Sequence, residues 1–177
     1  MSVYFHLRAV PPSALRNSAT WFRRLFADDW NTVRERIGRH REEVLDKGYR
    51  HHAALYAGVP PHQAPDGPCT HVVLGGCPVS HPDPSLPPFL LLTAAQAHRV
   101  AEYLEETDFE HLWRQAREEL MRPYGMPEAE RDIRSAFASA HRDLTAFYAQ
   151  TAQYGDAVVK WLMIQGTGAS DPAPCPP

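Results

Sequence analysis

Residues 157–164 read Ala157-Val158-Val159-Lys160-Trp161-Leu162-Met163-Ile164, a run dense in β-branched and large apolar side chains. Apolar residues occupy both alternating sets of positions, which predicts an interior strand covered on both faces. The run is far shorter than the ~18 apolar residues of a membrane span, and Lys160 interrupts it. At the other end of the chain, Val3, Phe5, Leu7 and Ala9 alternate with Tyr4, His6 and Arg8, which predicts a strand with one buried face, ended by Pro11-Pro12. Phe89–Leu92 is a third apolar run and predicts a buried strand.

Helical patterns lie between these runs. Ser13 is placed to cap a helix through Trp21, Phe22, Leu25 and Phe26, and Asp28 or Asp29 a second one whose stripe is Trp30, Val33, Ile37 and Val44. A break near Gly48 precedes a short helix over 49–56 that ends at Gly58. Thr93 and Gln96 form a capping-box pattern ahead of Ala97, Val100 and Leu104. Asp108 opens the next helix. After Pro127 a long one follows, with Ile133, Phe137, Ala140, Leu144 and Phe147 on one face and Gly155 at its end. The expected architecture is α+β, a small mixed sheet packed against several helices, with the first and last strands near each other. The expected organisation is a single domain over residues 1–165 and a disordered, Pro-rich tail over 166–177.

The 177 residues are 44% apolar and 22% charged, enough apolar surface to offset the entropy of ordering one domain. Proline is in excess at 17, and nine of these fall between 59 and 88. That spacing forbids a regular helix and predicts a long ordered loop with one extended piece, His71–Leu74, ahead of Gly75-Gly76. Residues 1–58 hold 10 basic and 6 acidic side chains and the remainder 8 and 15, for a net charge of −3. The basic residues are interleaved with acids, so nucleic acid is not an expected partner. The start of the chain lacks a basic n-region and an apolar h-region, and three cysteines are no disulfide framework. A cytoplasmic protein with reduced thiols and no membrane association is expected.

Several pieces of the sequence are similar to those of a known family. Leu45-Asp46-Lys47-Gly48-Tyr49, Gly58, Val72-Val73-Leu74-Gly75-Gly76 and Leu92-Thr93 at a helix start, with Phe147-Tyr148, Gly155 and the 157–164 run, resemble the YfbM-like family (domain of unknown function 1877). The resemblance spans most of residues 1–165 and implies a small α+β cytoplasmic bacterial protein. It supplies no catalytic residues. This chain has Tyr49 where the family usually has Trp, and Arg50, His51 and His52 in a segment that is usually Leu-rich.

Three constellations carry possible chemistry. Cys69, His71, Cys77 and His81 offer zinc-type ligands within 13 residues, at a spacing that matches no common zinc motif, so ordinary loop residues are the expectation. His51 and His52, with His40 and Asp46, contain the elements of a general base, yet adjacent histidines on a helix point about 100° apart. Asp46-Lys47 marks a pocket or partner surface, or is structural, with Lys47 on helix-end carbonyls and Asp46 paired to an arginine. No nucleophile elbow or phosphate loop is present. The expected catalytic, metal and cofactor sets are therefore empty. The candidate pocket or partner surface is Asp46, Lys47, Tyr49, His52, His71, Gly75 and Gly76. The expected function is a non-enzymatic binding or protein-interaction module whose partner is another protein. An immunity role toward a toxin is one form of it, suggested by family style rather than by residues. The alternative is an enzyme or small-molecule binder with a pocket near 46–58 and 69–81. Plasma emission on purified, untagged protein is expected to find less than about a tenth of an equivalent of zinc.

Overall fold

In the computed structural model, which describes residues 2–59, 63–125 and 127–165, the two ends of the chain pair with each other. The tail expected to be disordered, 166–177, lies outside the described residues. Ser2–Val10 (β1) and Ala157–Gln165 (β5) run antiparallel, from Ser2 opposite Gln165 to Val10 opposite Ala157. Glu42–Leu45 (β2) pairs on the outer side of β1, Phe89–Leu92 (β4) on the outer side of β5, and Cys77–Val79 (β3) closes the far edge, giving the order β2-β1-β5-β4-β3. The α+β expectation holds, but every strand pair is antiparallel rather than mixed. Periodicity reports which face of a strand is buried and carries no information on its direction.

The helices are Ala19–Leu25 (α1), Trp30–Gly38 (α2), Tyr49–Ala57 (α3), the single turn Pro68–His71 (α4), Ala94–Glu106 (α5), Phe109–Met121 (α6) and Glu130–Gln153 (α7). Their starts follow the local chemistry. Asp29 caps α2, Asp108 caps α6, and Thr93 with Gln96 forms a complete capping box on α5. Ser18, not Ser13, caps α1, because Pro12–Arg16 forms a separate 3-10 turn first.

Two expectations fail. The helix expected to run on to Val44 stops at Gly38, where His40 takes a left-handed φ of 53° and turns the chain into β2. The piece expected to be extended, His71–Leu74, instead begins in α4, and the extended backbone comes later, at β3.

The sheet separates two cores. On one face Phe5, Leu7, Leu45, Leu92 and Val158 pack against α3, α5, α6 and α7. On the other, Phe22 and Phe26 of α1 pack with Phe89, Leu91, Val159 and Trp161. That second face also carries a buried charge network. Glu42, 1% exposed, accepts from Arg36 Nε at 2.6 Å and lies 3.0 Å from His6 Nδ1, while Asp28 meets Arg8 and Arg36, each at 3.0 Å. Of the ten basic residues in the first 58, Arg8 and Arg36 pair with acids of the same segment. Arg41–Asp156 is the pair that crosses to the second half among the described residues. No described helix is long and apolar enough to cross a membrane.

Lys160 lies in the centre of the helical face, between Leu7 and Leu90 in the ladder, and is fully buried. Its Nζ donates to the His71 carbonyl at 2.7 Å, the one acceptor it has among the described residues. Burial holds the amine well below its ordinary value of 10.5. Between the folded and unfolded values the unfolded chain binds the extra proton, so stability rises with pH there and the full penalty persists below. The His71 carbonyl also accepts from Tyr148 Oη at 3.1 Å and keeps a partner if the lysine is removed. Lys160→Met, which preserves the length of the side chain, is expected to raise stability at neutral pH by roughly 1–3 kcal/mol. Chemical denaturation at pH 7 and pH 10 should show the gain shrinking at the higher pH.

Candidate functional site

The turn from β2 into α3 is built by Asp46. Its Oδ1 accepts the Gly48 N–H at 2.7 Å, and its carbonyl accepts the Tyr49 N–H at 3.0 Å. The approach is close enough that a Cβ on Gly48 would stand 2.9 Å from Asp46 Oδ1. Asp46 therefore binds its own backbone rather than an arginine, and Lys47 follows the strand β2 rather than a helix end, so it has no helix-end carbonyls to sit on, which corrects the structural role expected for both.

From this turn α3 presents two residues to α7. The His52 ring lies 4.5 Å from Phe137, and one turn further along both helices Tyr56 Oη lies 3.1 Å from His141 Nδ1. Burial drives the His52 imidazole down to about 4. Asp46 favours the imidazolium but is outweighed. His52 Nδ1 is buried with no hydrogen-bond partner among the described residues.

Between the start of α3 and the first half of α7 lies an open groove of about 500 Å³. Asp46, Lys47, Gly48, His51 and His52 form one side, and Tyr124, Asp132, Ile133, Ala136 and Phe137 the other. Tyr124 is 43% exposed. Among the described residues the lining includes no serine, threonine or cysteine, and its one hydroxyl is the phenol of Tyr124. A smaller hollow of about 280 Å³ shares His51 and continues along α3 past Arg50 and Ala54 to Val59, with Ala116 and Glu119 of α6 opposite.

Of the expected surface, Asp46, Lys47 and His52 come together in this groove, and Tyr49, His71, Gly75 and Gly76 do not. Tyr49 is buried and stacks on Phe5, with centroids 5.3 Å apart. His71 is buried, with Nε2 2.6 Å from Asp66 Oδ1. Gly75 and Gly76 serve close packing. A Cβ on Gly75 would fall 2.5 Å from the His71 ring, and Gly76 has φ 121° and would place a Cβ 2.7 Å from the Leu91 carbonyl. His40 sits on the α2–β2 turn and does not line the groove.

The four residues considered for zinc do not converge. Cys69 and Cys77 are free thiols, and His81 stacks on Trp161 on the opposite face of the sheet from the His71 carbonyl. Among the described residues no group of three or more His, Cys, Asp or Glu is placed to hold a metal.

Asp132, Ile133, Ala136 and Tyr124 carry no sequence signal as site residues. Helical spacing marks Ile133 and Phe137 as apolar, but it does not say that α3 is their neighbour.

Glu43 was equally invisible. It is buried on β2 against α7, its carboxylate accepts, among the described residues, only the Val44 N–H at 3.0 Å, and burial, with Asp143 and Glu42 nearby, raises it to about 7. The folded chain then binds an extra proton between the ordinary 4.5 and 7, so stability falls as pH rises through that window. For His52 the unfolded chain binds the extra proton between about 4 and 6.5, so stability falls as pH drops. Thermal melts are expected to show Glu43→Gln gaining more at pH 8 than at pH 5, and His52→Phe flattening the loss between pH 6.5 and 4.

Comparison with known proteins gives a consistent picture. The family described as "Domain of unknown function (DUF1877)" matches residues 1–161. A solved structure, "The Crystal Structure of a Protein of Unknown Function YfbM from Escherichia coli", aligns with a TM-score of 0.57 at 16% identity, covering 92% of this chain and 100% of that one. At that identity the likeness concerns the fold. No curated protein matches the chain.

Proposed function

Since the chain belongs to the DUF1877 family, whose description names no activity, we propose on the geometry of its groove that it is a non-enzymatic binding module for another protein. The observation that carries this reading is the open groove beside α3, with an apolar floor of Ile133, Ala136 and Phe137 and rim charges at Lys47 and Asp132 that no described residue neutralises. An apolar floor inside a polar rim is the composition of a protein-binding patch. Masking a toxin, as an immunity protein does, is one form such a module takes. In this reading the protein works in the bacterial cytoplasm, where Cys69 and Cys77 stay reduced.

A second reading keeps the small-molecule binder or unrecognised enzyme near residues 46–58 and 69–81. The groove volume of about 500 Å³ favours it, being of ligand size. On the 69–81 side the space is filled by Val72 and Val73, both fully buried, so this reading rests on the 46–58 side.

Ala136 is exposed on α7, so Ala136→Arg fills the groove without touching the core. The purified protein is expected to capture one stoichiometric, identifiable protein from its own cell extract, and Ala136→Arg to weaken that complex at least tenfold. Equal capture by the variant would remove the groove from the interface, and a groove that binds a metabolite instead would favour the second reading.

A further inference from the structure

The chemistry of the groove specifies what it holds. Resting on the binding-module reading, we infer that it is a subsite for an organic cation on an apolar stem, supplied by a lysine or arginine side chain of the partner protein.

The charge of the rim points this way. Asp46 and Asp132 oppose Lys47, and His52, buried against Phe137, stays uncharged at neutral pH and adds no repulsion toward a cation. Neither aspartate is in an ion pair with a described residue. Asp132 belongs to the first turn of α7, on a fixed backbone, while Lys47 is exposed on a four-carbon stem free to turn outward.

The start of α3 lies in the same groove and would ordinarily draw an anion. Here the chain fills that place itself, with the Asp46 carboxylate on the Gly48 N–H. What is left is a carboxylate rim over an apolar floor. The exposed Tyr124 offers ring surface to a guanidinium or ammonium, and Ile133 and Ala136, above the buried Phe137, offer contact to its stem.

Three probes of one shape separate the terms: benzamidinium, benzamide and benzoate, each titrated into the 15N-labelled full chain at low salt. Benzamidinium is expected to shift the amides of His52 and Ala136 and to bind at least tenfold more tightly than benzoate. Asp132→Asn should erase that preference, and Lys47→Ala should strengthen benzamidinium binding. Equal binding of benzamide or benzoate would overturn the cation subsite while leaving the groove as a binding surface. Absence of shifts with all three probes would overturn the subsite outright, and the Ala136→Arg capture experiment would then decide the binding-module reading by itself.

Discussion

Pairing the two ends of the chain at the centre of the sheet is the constraint on which the rest of this structure depends. β5 has β1 along its whole length and β4 beside Val158–Lys160, so the backbone there is enclosed on both edges and both of its faces need cover. Most of the intervening chain provides that cover. α3, α5, α6 and α7 close one face, and α1 with the 80–88 segment closes the other, where Trp161 Nε1 donates to the Pro87 carbonyl at 3.2 Å. The prolines of the 80–88 segment, Pro82, Pro84, Pro87 and Pro88, fit this role. A segment that lies against a sheet without completing long ladders gains from residues with few unfolded conformations.

The same enclosure explains the polar groups that look out of place. Lys160, Glu42 and His6 occupy strand positions that any cover must bury. Each responds according to what is within reach. Glu42 meets Arg36 and His6, so a paired network forms. Lys160 meets a single carbonyl among the described residues, and its burial disfavours the charged form. Tyr148 donates to the carbonyls of both His71 and Val72, which ties the α4 segment to α7 above the lysine. His71, Val72 and Val73 are therefore packing elements of the core.

Legibility in the sequence followed the range of the interactions. Strands β1, β4 and β5 and the helix caps at Asp29, Thr93 and Asp108 rest on local periodicity or on contacts within three residues, and all were readable. β2 was not, because Glu42-Glu43-Val44-Leu45 is half acidic and becomes a strand only through Arg36 and His6, brought from elsewhere in the fold. The site divides in the same way. Asp46, Lys47 and His52 stand close in sequence and were singled out together, whereas the facing wall, Asp132–Phe137, is some 80 residues away and is set by helix packing. His71 and Gly75 drew attention as chemistry and proved to be steric partners.

That division bears on how function is distributed in this fold. The pieces that carry the family resemblance do architectural work. Asp46 folds the turn into α3, Gly76 permits close approach to Leu91, and Thr93 caps α5. His51 and His52, a few residues beyond that turn, line the groove beside Asp46, Lys47 and Gly48. The groove wall and the turn the fold needs therefore share one short segment. His51, Tyr124 and Asp132 reach the groove from outside the buried core, so a change there leaves the β1–β5 ladder in place, whereas His52 packs on Phe137 and its replacement also acts on the cover. Rim and frame are thus separable at three positions and coupled at the fourth.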